Sequence, residues 1–228
     1  MFDRVGESLT GGKTVLKLFP VSFIELFRHC PKIEIKERLR DYLIYGLYPE
    51  VVSVKNVKKK TRILREVAES YLLKDVLAYE GIMKSNVTTK LLRLLAFQVG
   101  NEVSFNEIGE KLGLNYKTVE RYIDVLEKSF VIFSLSGFSK NLRKEVTKKK
   151  KYYFYDTGIR NAIISNFNPP ELRDDTGQLW ENLVIVERMK IIEYKEIYSN
   201  LFFWRTWNKQ EIDLIEERSG KLFAYEIK

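Results

Sequence analysis

Three ionisable residues near the end of the chain stand among apolar neighbours. Asp213 lies in Glu211-Ile212-Asp213-Leu214-Ile215, and Glu226 and Lys228 lie in Leu222-Phe223-Ala224-Tyr225-Glu226-Ile227-Lys228. Both stretches read as short strands. In a strand, residues i and i+2 share a face, so Glu226 and Lys228 project together. If the two strands pair, Asp213 joins them and three charges meet on one face. Burying charges without partners is costly. A metal ion bridging Asp213 and Glu226, with Lys228 beside a bound water, is one resolution. A solvated edge of ordinary cross-strand ion pairs is the other.

The elements that must position this cluster can be read from the same region. Strands are expected over about 197–205, 211–216 and 222–227, the last two joined as a hairpin at Ser219-Gly220. A long helix over 178–194 precedes them and carries Glu181 in its first turn, where the helix dipole favours negative charge. Before that helix, Asn168-Pro169-Pro170 and the polar run 173–177 mark a boundary or loop.

A second constellation lies upstream. Residues 104–114 form a short helix that begins at Ser104 and ends at Gly113, and 115–127 form a second helix capped by Asn115, with apolar Val119, Ile123 and Leu126. This spacing is a helix-turn-helix pattern. An apolar strand over 131–137, a basic loop over 140–150 and a returning strand over 152–155 follow as a wing. Asn115, Tyr116, Lys117, Thr118 and Arg121 are the expected base-reading positions. Lys140, Arg143, Lys144, Lys148, Lys149 and Lys150 are the expected phosphate contacts. The alternative is a winged helix used for protein interaction, with a solvated lysine loop; Glu120 and Glu127 interrupt the basic face.

Towards the N-terminus, residues 21–100 read as almost entirely helical. Ser22 and Glu25 have capping-box spacing, a helical period runs through 33–45, a basic run covers 55–65, and amphipathic helices follow over about 63–76 and 87–100. Gly11-Gly12-Lys13-Thr14 resembles a phosphate loop only superficially. The motif requires glycine where Glu7 stands, and the run 15–19 that follows is strand-like and stopped by Pro20.

Composition narrows the chemistry. With 228 residues and 45% apolar side chains, the chain can bury substantial cores and is not of disordered composition. The excess of 39 basic over 31 acidic residues, +8 overall, favours an anionic partner where it clusters. Cys30 is the sole cysteine and His29 the sole histidine, which excludes an intrachain disulfide and any cysteine-rich or multi-histidine metal site. His29, beside Cys30 and Pro31, suits a surface or helix-end role better than a catalytic one. No apolar run approaches the ~20 residues of a membrane span. A cytoplasmic protein without a membrane partner is expected.

The order of Glu181, Asp213 and Glu226-Ile227-Lys228 on helix, strand and strand resembles the core of restriction-endonuclease-like (PD-(D/E)XK) nucleases. That resemblance implies Mg²⁺ held by Asp213 and Glu226, water oriented by Lys228, and assistance from Glu181. A wider string points further: Gly46-Leu47-Tyr48-Pro49-Glu50, Tyr71-Leu72-Leu73-Lys74-Asp75, Lys151-Tyr152-Tyr153-Phe154-Tyr155-Asp156-Thr157-Gly158, Gly177-Gln178-Leu179-Trp180-Glu181-Asn182 and Phe203-Trp204-Arg205-Thr206. Together these resemble the C-terminal region of a family of archaeal and bacterial AAA+-type ATPases of largely unknown function.

The resemblance implies a mixed α and α/β architecture. Residues 1–26 would be the end of an ATPase module, 27–100 a helical region, 101–160 a winged helix-turn-helix, and 171–228 a nuclease-like α/β domain incomplete at its C-terminus. The chain lacks the nucleotide-binding loop, so no ATP site is expected. Gly12 stands where the family usually has arginine, and the chain stops before the helix and strand that would complete a nuclease core. A fragment, a truncated gene or a degenerate member is expected, with the nuclease geometry inherited and turnover absent. In order of preference, the readings are DNA binding, a protein-interaction or regulatory module that includes homo-oligomerisation, and a Mg²⁺-dependent nuclease.

Overall fold

Side-chain caps set where five of the described α-helices begin. The computed structural model describes residues 16–71, 85–139, 150–206, 208 and 210–228. Helix α1 (Phe23–His29) starts at Ser22, whose hydroxyl accepts from the Glu25 N–H while the Glu25 carboxylate accepts from the Ser22 N–H, the expected capping box. Beyond Pro31 the helical period is divided into α2 (Lys32–Glu37) and α3 (Leu39–Tyr45), separated by Arg38 at φ −88°, ψ 3°. A single turn, α4 (Pro49–Val52), follows. Helix α5 (Val57–Glu66), capped by Asn56, continues into a π-helical turn over Val67–Tyr71. Helix α6 spans Ser85–Phe97. Residues 16–19, expected as strand-like, have no regular structure. The expected helix over about 63–76 passes out of the described residues after 71.

Strand β1 (Glu102–Val103) leads into α7 (Phe105–Leu112), capped by Ser104 and closed by Gly113 in the left-handed conformation, φ 66°. Helix α8 (Tyr116–Lys128) is capped by Asn115. Strands β2 (Ile132–Gly137) and β3 (Lys150–Phe154) pair antiparallel. Helix α9 (Thr157–Ile163) starts at Asp156, and α10 spans Thr176–Tyr194. Strands β4 (Asn200–Arg205), β5 (Glu211–Arg218) and β6 (Lys221–Tyr225) complete the chain. Ser219 and Gly220, both at positive φ (49° and 72°), make the tight β5–β6 turn.

The fold is mixed α/β, with one sheet of six strands in the order β1-β3-β2-β4-β5-β6. Pairing is antiparallel throughout except between β2 and β4, which run parallel over Ser136↔Phe202 and Gly137↔Phe203. The Phe138 N–H extends that join, donating to the Phe203 carbonyl at 2.7 Å. The sheet therefore runs unbroken from the first hairpin into the C-terminal strands.

Helix α10 covers one face. Its Asn182 both accepts from and donates to the Phe154 backbone, each at 2.8 Å, and its Arg188 donates twice to the fully buried Glu216. Helices α7 and α8 cover the opposite face at the β1–β3–β2 end, where the Phe105 ring lies 6.2 Å from that of Tyr152 and Ser134 donates to Glu127 at 2.6 Å. The N-terminal helices dock through α9. Asp156 accepts from the Leu47 N–H at 2.7 Å, Arg160 donates to the Ala96 carbonyl, and Asn161 donates to the Ile44 carbonyl. Buried Lys190 and Glu187 hold the backbone of Val21 and Phe23 against α10. No helix among the described residues is long and apolar enough to cross a membrane.

Candidate functional site

One candidate site is the face of α8 at its N-terminal end. Asn115, Tyr116, Lys117, Thr118 and Arg121 line a single open depression there. The Asn115 carboxamide oxygen accepts from both the Thr118 N–H (2.9 Å) and the Thr118 hydroxyl (3.0 Å), so these two side chains are committed to capping the helix. Tyr116, Lys117 and Arg121 are exposed around them. The Tyr116 ring leans on Phe105 at 5.4 Å, which fixes its direction. Lys111 and Lys128 are neutralised by Glu107 and Asp124 one turn away, whereas Lys117 and Arg121 have no ion-pair partner among the described residues. Of the basic loop, Lys140, Arg143, Lys144, Lys148 and Lys149 lie outside the described residues; Lys150 is half-buried at the start of β3.

The second candidate is the charged cluster beneath α10. A register shift between Phe202 and Trp204 sets two residues of β5, Asp213 and Leu214, opposite one residue of β4, Phe203. Asp213 shares a face with Glu211 two residues before it, and the bulge brings Glu216 onto that face as well, towards α10. Strand β3 brings Lys151 and Tyr153 to that face as well, through Leu135↔Lys151 and Phe133↔Tyr153. Glu181, in the second turn of α10, descends onto them. It accepts from the Tyr153 hydroxyl at 2.6 Å and from Lys151 at 3.4 Å. Lys151, only 2% exposed, also contacts Glu211, and its ammonium lies 5.2 Å above the Phe203 ring. Arg205 approaches Glu211 from outside at 3.7 Å.

The electrostatics follow from this crowding. Burial pushes the Glu181 carboxyl above its usual range and Asp213 adds repulsion, while Lys151 and the Tyr153 hydrogen bond act the other way. Burial, then the neighbouring Glu181 charge, raises the Tyr153 phenol far above its ordinary value, so it stays a neutral donor.

Glu181 and Asp213 are thus brought together. Glu226 and Lys228 are not part of the cluster: both are exposed, lie beyond the end of β6 and pair with each other at 3.2 Å. Asp213 accepts from the Ile227 N–H at 2.8 Å instead of facing an ion shared with Glu226. Among the described residues no group of three or more His, Cys, Asp or Glu is arranged to hold a metal. Sequence reasoning missed Lys151, Tyr153 and Glu211. The signal was present: Lys151 and Tyr153, like Glu211 and Asp213, stand at i and i+2 in apolar strands, the same pattern that singled out Glu226 and Lys228.

Comparison with known proteins adds family and extent. Residues 36–170 match the model described as Domain of unknown function (DUF8612), and residues 176–228 match Domain of unknown function (DUF4143), a domain often found at the C-termini of AAA-type ATPases. An uncharacterized protein of Haemophilus influenzae is 26% identical over 192 residues, covering 80% of this chain and 46% of that protein. Uncharacterized protein MJ1544 of Methanocaldococcus jannaschii is 23% identical over 230 residues, covering 93% and 49%. Uncharacterized protein Rv2008c of Mycobacterium tuberculosis is 28% identical over 137 residues, covering 59% and 30%. The chain spans half or less of the length of these curated relatives. No solved structure matches. The first matched span holds β1 to β3 and the second β4 to β6, so the β2–β4 join lies where the two spans meet; with more than half its residues in the first span, the chain belongs to the family described as Domain of unknown function (DUF8612).

Proposed function

We propose that this chain binds duplex DNA through the N-terminal end of α8. The observation that carries the reading is the depression at that helix start, where Lys117 and Arg121 stand exposed one turn apart beside Tyr116, on a helix fixed by the Asn115–Thr118 cap. Lysine and arginine near a helix N-terminus combine side-chain charge with the positive end of the helix dipole, the arrangement that favours phosphate. The α7–turn–α8 pair followed by the β2–β3 hairpin supports a winged-helix reading. The C-terminal match is compatible with a role as the DNA-binding part of a larger AAA+-type ATPase. The nuclease reading draws on Glu181 and Asp213 facing one another across the α10 interface, but Glu226 and Lys228 turn away from them, so DNA binding without cleavage is preferred.

A salt titration of binding to a labelled duplex tests this. The wild type should bind at low salt with a log–log slope that reports several phosphate contacts. The Lys117→Ala, Arg121→Ala double variant should bind more weakly at every duplex sequence and lose about two units of slope. Absence of binding at low salt, together with a stable oligomer by size, would turn the assignment towards a protein-interaction module.

A further inference from the structure

The carboxylate cluster beneath α10 already contains a cation. Glu181, Glu211 and Asp213 face one another across α10 and the bulge in β5, and Lys151 enters from β3 with its ammonium against Glu181 and Glu211. Its side chain is 2% exposed, so little solvent shields the charge. Arg205 supplies a second positive charge at the rim of Glu211. Counting formal charges, three carboxylates face two cations. A divalent ion placed here would sit beside an ammonium that cannot reach water. Mg²⁺ demands several oxygen ligands at close range. The Asp213 oxygen facing the hairpin is taken by the Ile227 N–H, and Glu226 is in solvent. The residues as arranged do not fit the Mg²⁺ ion that the nuclease resemblance implies.

We propose that Lys151 occupies the cation position of the Glu181–Glu211–Asp213 cluster, making it an ammonium-filled site that takes no divalent ion while that lysine is in place. The lysine comes from the first hairpin, whereas the carboxylates come from α10 and β5. The charge that replaces a metal is therefore also the one that fastens the two parts of the sheet to their covering helix. This inference does not depend on DNA binding, and its test contains no DNA.

Loss of the free Mn²⁺ signal in electron paramagnetic resonance is the readout. Full-length wild type should bind no Mn²⁺ at this cluster up to millimolar ion. Folded Lys151→Met should bind it at least tenfold more tightly than wild type, and adding Asp213→Asn should remove that gain. Lys151→Arg, which keeps the charge, should behave as wild type. Wild-type Mn²⁺ binding that is abolished by Asp213→Asn would overturn the proposal, as would a folded Lys151→Met protein without the gain. If Lys151→Met does not fold, the wild type and its Asp213→Asn variant still decide whether the unaltered cluster takes the ion.

Discussion

At Glu181 burial and the neighbouring charges pull in opposite directions. Burial, the largest influence, and repulsion from Asp213 raise its carboxyl, while Lys151 and the Tyr153 hydroxyl oppose them. Between the ordinary carboxylate value and the raised one, the folded protein holds a proton that the unfolded chain has released. Stability must therefore fall as pH rises through that window. Glu181→Gln keeps an acceptor for Tyr153 but cannot titrate. The melting temperature of the variant relative to wild type should climb from about pH 4 towards neutrality; parallel profiles would mean that Glu181 titrates normally. Glu181 and Asp213 were legible because a carboxylate in an apolar helix or strand needs a reason to be there. Their partners Lys151, Tyr153 and Glu211 carry the same i, i+2 spacing, but which strands and helix bring them to one face is set by long-range pairing, which leaves no local signature. The bulge at Asp213–Leu214 moreover carries Glu216 to that face against the period of two. Lys151 also sits at the end of a lysine run, where a solvated role is the natural reading, and only the β2–β3 register shows that it turns inward.

Among the elements, those with capping residues were read nearly to their ends. Ser22, Ser104 and Asn115 each start a helix as expected, because a cap is a local hydrogen bond that the sequence spells out. The break between α2 and α3 was not legible, since no proline or glycine marks Arg38; nor was β1, only two residues long. The motifs around Gly46 and Gly158, far apart in sequence, turn out to be one contact. Asp156 caps α9 while accepting from Leu47, and an added Cβ at Gly158 would lie 2.1 Å from the Tyr45 carbonyl oxygen. The obstructing groups, the Tyr45 carbonyl and the Gly46 nitrogen, are both backbone and cannot swing aside. Gly158→Ala should therefore cost about 1–3 kcal/mol in urea denaturation, as overpacking does. Gly177→Ala in the first turn of α10 meets nothing within 4 Å. It should be neutral or stabilising by about 0.4–1 kcal/mol, because it only restricts the unfolded chain. Equal stabilities for the two variants would show that the α3–α9 contact yields.

At the scale of the molecule, the sequence suggests a helix-turn-helix unit followed by a separate α/β unit, whereas the structure has one sheet through both. The reason is physical. The join is a parallel pair, β2 with β4, linked through β3, α9 and α10, and a parallel pairing across so long a connection leaves no local signature. Other contacts also cross it. Asn182 of α10 grips Phe154 of β3, and Lys151 of β3 meets Glu181 and Glu211. Arg160 of α9, 1% exposed, pairs with Asp175 ahead of α10, and Arg173 donates to the same carboxylate at 2.7 and 2.9 Å. Separating the parts would strand the buried Arg160 and Lys151 charges, each costing several kcal/mol without its partner. Unfolding should therefore be a single event. All three tryptophans, Trp180, Trp204 and Trp207, lie in the last third of the chain, whereas most helices lie before it. Trp180 lies on α10 and Trp204 on β4, so tryptophan fluorescence reports on the C-terminal part and far-ultraviolet circular dichroism mainly on the helices before it. In urea the two transitions should share one midpoint and one slope. Midpoints separated by more than their error would show that the β2–β4 join is the weak seam, and that the C-terminal strands and the helix presenting Lys117 and Arg121 can move apart.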